Sequence, residues 1–344
     1  MRAVTFQAPG EVRIEEKADP EVSAGDEALV QVEASGICGS DLHIFHGRVP
    51  VEPGFTIGHE FVGTVLAVGP DVERVAVGDR VLGCFHTACA TCATCLRGDY
   101  HRCENGQTFG HGANLGDLQG AQAEQLLVPR ANLTLRRVPE GMSDDVALFA
   151  GDVMGTGYHA VAHAGMRPGD TVAVLGLGPV GLCAVQAAFA GGATKVFAID
   201  SVEQRLAMAA EFGATSIHLT EEEPKRVVRA ATGKRGVDVV VDAVGDPGPL
   251  AMAISLVREA GTVSGIGAYA GKSEVPLGLA WLKGLTLRLG LANVIAHVDR
   301  VLALIEAGKL DPSPLVTHHM KLDQAPEAYA LYDNREALKI VLTP

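Results

Sequence analysis

Between Thr171 and Leu289 the chain repeats one pattern, a short run rich in Val, Ile and Leu followed by a helix-length segment. Strands are expected at Thr171–Leu175, Lys195–Ile199, Ser216–Leu219, Val237–Val241, Thr262–Ile266 and Leu285–Leu289. Helices are expected between them at Pro179–Phe189, Val202–Phe212, Pro224–Thr232 and Pro249–Arg258. Strands joined by helices pair in parallel through crossovers, so this stretch is committed to a doubly wound parallel sheet.

The first turn of that sheet reads Gly176-Leu177-Gly178-Pro179-Val180-Gly181. It follows a strand and opens a helix, the context in which G-x-G-x-x-G binds a dinucleotide in a Rossmann fold. The glycines allow a tight turn and bring pyrophosphate close to free N–H groups at the helix N-terminus. Asp200 ends the next strand, where a carboxylate accepts from the adenosine ribose hydroxyls and repels a 2′-phosphate. That favours NAD over NADP; a plain helix cap is the competing role for Asp200. The span Thr171–Thr194 carries no charged residue. Its glycines and Pro179 read as strand, turn and buried helix rather than as a membrane span.

Before about Val128 the pattern differs. Short alternating runs such as Val12–Glu15 and Ala28–Val32, with Phe61–Val68 and a turn at Gly78–Val81, indicate a small β-barrel. With 344 residues, 47% of them hydrophobic, the chain can bury two cores. The formal charge of −13 and the lack of Lys/Arg-rich runs point away from nucleic acid and anionic membranes. The start, Met1-Arg2-Ala3-Val4-Thr5-Phe6, enters strand alternation directly. Seven Cys without a secretory signal do not suggest a disulfide framework, so a reducing cytoplasm is expected.

Five of those Cys have a metal explanation. Cys89, Cys92, Cys95 and Cys103 follow Cys-x2-Cys-x2-Cys-x7-Cys, a spacing suited to a closed tetrahedral thiolate site. The fifth lies in Cys38-Gly39-Ser40-Asp41-Leu42-His43, upstream of Gly58-His59-Glu60. Cys38 and His59 are zinc-type ligands, with a third to come from Glu60 or from further along the chain. Cys84 and Cys183 read as small apolar residues.

Gly58-His59-Glu60 with Gly63, Gly69 and Val72 resembles the catalytic-zinc signature of zinc-containing medium-chain alcohol dehydrogenases. The Cys38–His43 segment resembles that family's first-ligand segment, and the four-Cys spacing is similar to its structural-zinc lobe. The resemblance spans nearly the whole chain. It implies a GroES-like catalytic domain over residues 1–151, with a structural lobe at about 84–110. A Rossmann domain follows over 152–292, and residues 293–344 return to the catalytic domain, with helices at His297–Ala307 and Gln324–Tyr332 and a strand at Lys339–Leu342.

The same resemblance implies two Zn2+ per chain and hydride transfer between a neutral primary or secondary alcohol, or its aldehyde or ketone, and NAD(H). Asp152, in Gly151-Asp152-Val153, stands where many members carry Cys and some bacterial members carry Asp. The implied catalytic set is Cys38, His59 and Asp152, with Glu60 near enough to coordinate or to exchange with water. Ser40 and His43 resemble the proton relay, and Asp41 the carboxylate that orients His59. Arg205, Gly265 and Ile266 join Gly176, Gly178, Pro179, Val180, Gly181 and Asp200 as cofactor contacts. Ser40, His43, Phe85 or His86 and the stretch Phe109–Leu118 would line the substrate pocket. A homodimer or homotetramer is implied through Leu285–Leu291. The competing readings are the zinc-free quinone or enoyl reductase branch, which lacks these ligands, and a non-catalytic zinc or nucleotide-binding protein.

Overall fold

The computed structural model describes residues 1–269 and 274–344. The chain forms two compact units. One comprises Met1–Asp152, Asn293–Glu306 and Asp311–Pro344, the other Val153–Ala292 and Ala307–Leu310. The boundary leaves Asp152 in the first unit, one residue from the sequence-based limit.

In the second unit the six strands are all parallel, in the order Thr215–His218, Lys195–Asp200, Thr171–Leu175, Val237–Asp242, Val257–Gly265, Thr286–Leu289. From Thr171–Leu175 the chain builds outward to one side, then crosses back to the other. The order reverses between Thr171–Leu175 and Val237–Asp242, where doubly wound sheets bind ligands at the strands' carboxyl ends. Most limits in this unit fall within one residue of the sequence reading; the helix Pro247–Leu256 and the strand Val257–Gly265, expected at Pro249–Arg258 and Thr262–Ile266, depart further. The helix Pro247–Leu256 starts at Pro247, whose missing N–H costs nothing in a first turn. It ends early because Val257 already pairs with Val237. The apolar helix Pro179–Ala190 is buried, Cys183 completely. Among the described residues no helix is long and apolar enough to cross a membrane.

The first unit carries a three-stranded sheet, Glu11–Glu16, Arg2–Ala8 and Phe55–Thr56, and a seven-stranded one. The larger sheet runs His318–Lys321, Ile340–Thr343, Ala28–Gly36, Glu60–Val68, Arg80–Gly83, Leu135–Arg137, with Gln125–Val128 also paired to Ala28–Gly36. One core gathers Val4, Ile37, Ile44, Ile57 and Tyr329; another gathers Val30, Val32, Phe61 and Phe109. Both metal-type clusters are built on this unit.

Candidate metal centre and cofactor turn

Gly36 pairs with Glu60 across the antiparallel strands Ala28–Gly36 and Glu60–Val68. That register sets Cys38, just past one strand, beside His59, just before the other. The third side comes from the helix Asp144–Ala150, started by Ser143, whose Oγ accepts from Val146 N–H at 3.4 Å. The chain then passes against Arg80–Gly83 at Gly151. A Cβ there would lie 2.0 Å from the Gly83 carbonyl oxygen, so only glycine fits. Phe85 N–H donates to the Gly151 carbonyl at 3.1 Å. This close passage delivers Asp152.

One donor atom each from Cys38, His59, Glu60 and Asp152 lies within 4.8 Å of all the others. Asp152 Oδ2 is 3.5 Å from Cys38 Sγ and 3.1 Å from His59 Nε2. Zinc bond lengths in a tetrahedron give edges of about 3.6 Å for sulfur–oxygen and about 3.4 Å for nitrogen–oxygen. The three groups therefore already stand at ligand spacing. Glu60 is divided: one oxygen is ion-paired with fully buried Lys339, and Oε1 has no hydrogen-bond partner. Lys339 Nζ also donates to the Ile37 carbonyl at 3.1 Å. Burial pulls the Lys339 ammonium down, but Glu60 outweighs it and holds Lys339 above its ordinary value.

The charges also fit a cation. Burial and then Asp152 push the Cys38 thiol up. Burial disfavours His59 in its charged form, yet Asp41 and Asp152 outweigh it and hold the imidazole well above its usual value. A divalent cation bound among these groups would displace protons from the thiol and the imidazole, because both ligate in their deprotonated forms. Asp41 Oδ1 is 3.2 Å from His59 Nδ1, on the ring side away from Asp152. A metal-ligating His is ordinarily oriented by such a carboxylate.

Ser40 and His43 lie three residues apart on the helix Gly39–Phe45, hence on one face. Ser40 Oγ is 3.3 Å from His59 Nε2, the nitrogen that faces Asp152. His43 is half-buried. The His59 ring meets those of His111, centroids 4.9 Å apart, and Phe85, 6.2 Å apart. His111 Nδ1–H donates to the Phe109 carbonyl at 2.9 Å. Burial drives the buried His86 down to about 4, and burial with His59 lowers His111, so both are neutral.

The second cluster is Cys89, Cys92, Cys95 and Cys103, again with all donor atoms within 4.8 Å. Cys92 Sγ and Cys103 Sγ are 3.9 Å apart, far beyond a disulfide and close to the about 3.8 Å edge of a zinc tetrathiolate. The Thr91 hydroxyl, then the Thr91 and Cys92 N–H groups, pull the Cys89 thiol down to about 5. Thr94 and main-chain donors bring Cys92 to about 7, whereas burial keeps Cys95 at about 12. Cys89 and Cys92 are thus biased toward the thiolate, the form in which a thiol ligates a metal.

In the second unit, Gly176 has φ +81° and lies at the switch point, where a Cβ would strike Val244 Cγ2 at 2.5 Å. A Cβ on Gly181 would lie 1.8 Å from the Gly176 carbonyl oxygen, so the helix could not pack there. Gly178 faces open space and caps the helix Pro179–Ala190 without a side-chain hydrogen bond, which leaves N–H groups for an anion. Asp200 Oδ2 accepts from Leu177 N–H at 2.6 Å. Its Oδ1 accepts from Ser201 and Val202 N–H at 2.6 and 2.9 Å. The carboxylate therefore locks the glycine turn to the end of its own strand, while the helix Glu203–Glu211 has Val202 as N-cap and no side-chain cap. Arg205 is half-buried on the helix Glu203–Glu211. Gly265 ends the strand Val257–Gly265, followed by Ile266.

Residues 24–140 match the alcohol dehydrogenase GroES-like domain, and residues 179–307 the zinc-binding dehydrogenase domain. A Mycobacterium tuberculosis protein named "Probable zinc-binding alcohol dehydrogenase" is 39% identical over 100% of this chain and 89% of its own length. The chain belongs to the zinc-containing medium-chain dehydrogenase family. Solved structures of similar proteins agree. Alcohol dehydrogenase TADH from Thermus sp. ATN1 is 46% identical with a TM-score of 0.96, covering 100% of this chain and 99% of that one. The zinc-dependent alcohol dehydrogenase 2 of Streptococcus pneumonia is 32% identical with a TM-score of 0.91, covering 100% and 98%. As a member of this family the chain is an oxidoreductase of the zinc-type alcohol dehydrogenase kind. In this dehydrogenase the sequence reading missed Lys339, Gln122 and Tyr329, all fully buried around the centre. Lys339 alone left a signal: a lone charge at the head of the apolar run Ile340-Val341-Leu342.

Proposed function

We propose that this dehydrogenase interconverts a neutral primary or secondary alcohol and its aldehyde or ketone, with NAD(H) as redox partner. The observation that carries this is the ligand-spaced set Cys38, His59 and Asp152 with Ser40 against His59 Nε2. A zinc ion held by these three would supply a Lewis acid for the substrate oxygen, and the nicotinamide would supply the hydride acceptor. Ser40 Oγ accepts the proton of the substrate hydroxyl as it passes its own proton onward. His43, one turn along the same helix face, carries it toward solvent, since an ordinary imidazole titrates near neutral pH. Four thiolates of the lobe would hold a second, structural zinc.

The glycine turn and uncapped helix favour a pyrophosphate, and Asp200 favours an unphosphorylated ribose. Arg205 could still serve a 2′-phosphate. Phe85 and the neutral His86 and His111 favour an uncharged substrate, because an acid would call for a cation. Thiols grouped at metal-ligand spacing suit a reducing, cytoplasmic setting. Self-association would use the edge strand Thr286–Leu289 with exposed Leu277, Trp281 and Leu282 of the helix Leu277–Lys283.

The test is turnover of a panel of neutral alcohols, polyols and hydroxy acids, with NAD and NADP side by side. NAD-dependent oxidation of neutral alcohols is expected; a preference for hydroxy acids or for NADP would contradict the reading. The His43→Ala variant will turn over about 10²-fold more slowly at neutral pH. Added small bases will partly restore it, and an unchanged pH profile would remove His43 from the relay.

A further inference from the structure

Asp41 serves two of the three proposed ligands at once. Its Oδ1 faces His59 Nδ1 at 3.2 Å, and its Oδ2 accepts from the Cys38 main-chain N–H at 2.9 Å. A small rotation of this carboxylate would therefore disturb both ligands. Buried Gln122 controls that rotation. Its Nε2 donates to the Gly36 carbonyl at 3.1 Å and points at Asp41 Oδ2 at 3.5 Å. Both targets are acceptors only, so the amide must turn its NH2 toward them and its oxygen away. Tyr329 enforces this choice: its hydroxyl donates to Gln122 Oε1 at 2.9 Å. Tyr329, Gln122 and Asp41 are all fully buried, so the chain of contacts is shielded from water.

Gln122 also braces His59 through the main chain. Gly58, with φ +92°, passes so close that a Cβ on it would sit 2.4 Å from Gln122 Cγ. Gln122 N–H donates to the Ile57 carbonyl at 3.0 Å. The Tyr329 ring is fixed in turn by the core around Ile37 and Ile44, with Phe45 at 5.4 Å between centroids.

We propose that Tyr329 and Gln122 are positioning residues of the metal centre: the phenol orients the amide, the amide holds the Asp41 carboxylate, and the carboxylate presents His59 and Cys38 to the ion. This rests on the zinc-centre reading above. It assigns the helix Ala325–Asp333, far along the chain, a part in setting how tightly the ion is held.

The test uses the zinc-loaded full-length protein and two removals of single groups, Tyr329→Phe and Gln122→Met. Zinc transfer to a chromogenic chelator is followed, with the Cys92→Ser variant marking which phase belongs to the thiolate lobe. Loss of a carboxylate partner to a ligating His typically costs about 10–100-fold in metal affinity, so one link further out the expected acceleration of release is about 3–10-fold. It should be confined to the Cys38–His59–Asp152 phase and accompanied by a changed cobalt absorption spectrum after metal exchange. Because the two act in series, Tyr329→Phe should add nothing to Gln122→Met. Tyr329→Phe and Gln122→Met proteins that melt earlier but release both ions at wild-type rates, with unchanged cobalt spectra, would overturn the proposal. Additive effects would overturn the series. A wild-type protein with no ion at Cys38 and His59 would instead sink the zinc-centre reading beneath it.

Discussion

Lys339→Met will destabilise the protein by about 3–5 kcal/mol, the usual consequence of removing one partner from a buried ion pair. The reason is local. The Glu60 carboxylate has Lys339 as its buried cation, and both side chains are fully enclosed. Without the ammonium, Glu60 must stay charged and unpaired or take up a proton, and the Ile37 carbonyl loses a donor. For a unit of this size that corresponds to a melting temperature lower by about 6–20 °C. Adding Glu60→Leu should recover much of the loss, because replacing both partners with apolar groups removes the stranded charge. A melting temperature within error of wild type for Lys339→Met would show that the pair contributes nothing.

Cys38→Ser will lower kcat/KM by about 10³-fold or more, because Lewis-acid stabilisation of a developing alkoxide amounts to several kcal/mol. The fold should survive: Cys38 caps the helix Gly39–Phe45 through its main chain, and Asp41 continues to accept from that N–H. Circular dichroism should therefore match wild type while turnover is lost. Activity within tenfold of wild type would mean that the thiolate does not hold the ion used in the reaction.

The parallel sheet could be read from sequence because each of its signals is local. Apolar runs, Pro at first helical turns and the glycines of Gly176–Gly181 all act within a few residues. The errors lay at ends, where long-range pairing decides, as when Val257 joins Val237. Cys38 and His59 stood out as zinc-type ligands in glycine-flanked segments, whereas Asp152 entered only through the family resemblance, because nothing local to Gly151-Asp152-Val153 marks a ligand. Glu60 was left undecided; the buried cation that holds one of its oxygens, Lys339, is brought beside Ile37 by the Val341–Gly36 register, while a Glu60 oxygen still stands in the donor cluster. Gln122 and Tyr329 had no local signature at all. A buried amide and phenol are meaningful only through partners such as Gly36, Asp41 and each other, and those partners are set by the fold rather than by spacing along the chain.

In the proposed function a thiolate, an imidazole and the Asp152 carboxylate hold one zinc ion, separate from a second in the four-Cys lobe. Metal analysis of the wild-type protein beside Cys38→Ser and Cys92→Ser tests it most directly. Wild type should hold about two zinc ions per chain and each variant about one, with turnover lost in Cys38→Ser and thermal stability lost in Cys92→Ser. Two ions retained in Cys38→Ser, or a wild-type protein that turns over alcohols while holding zinc only in the lobe, would contradict it.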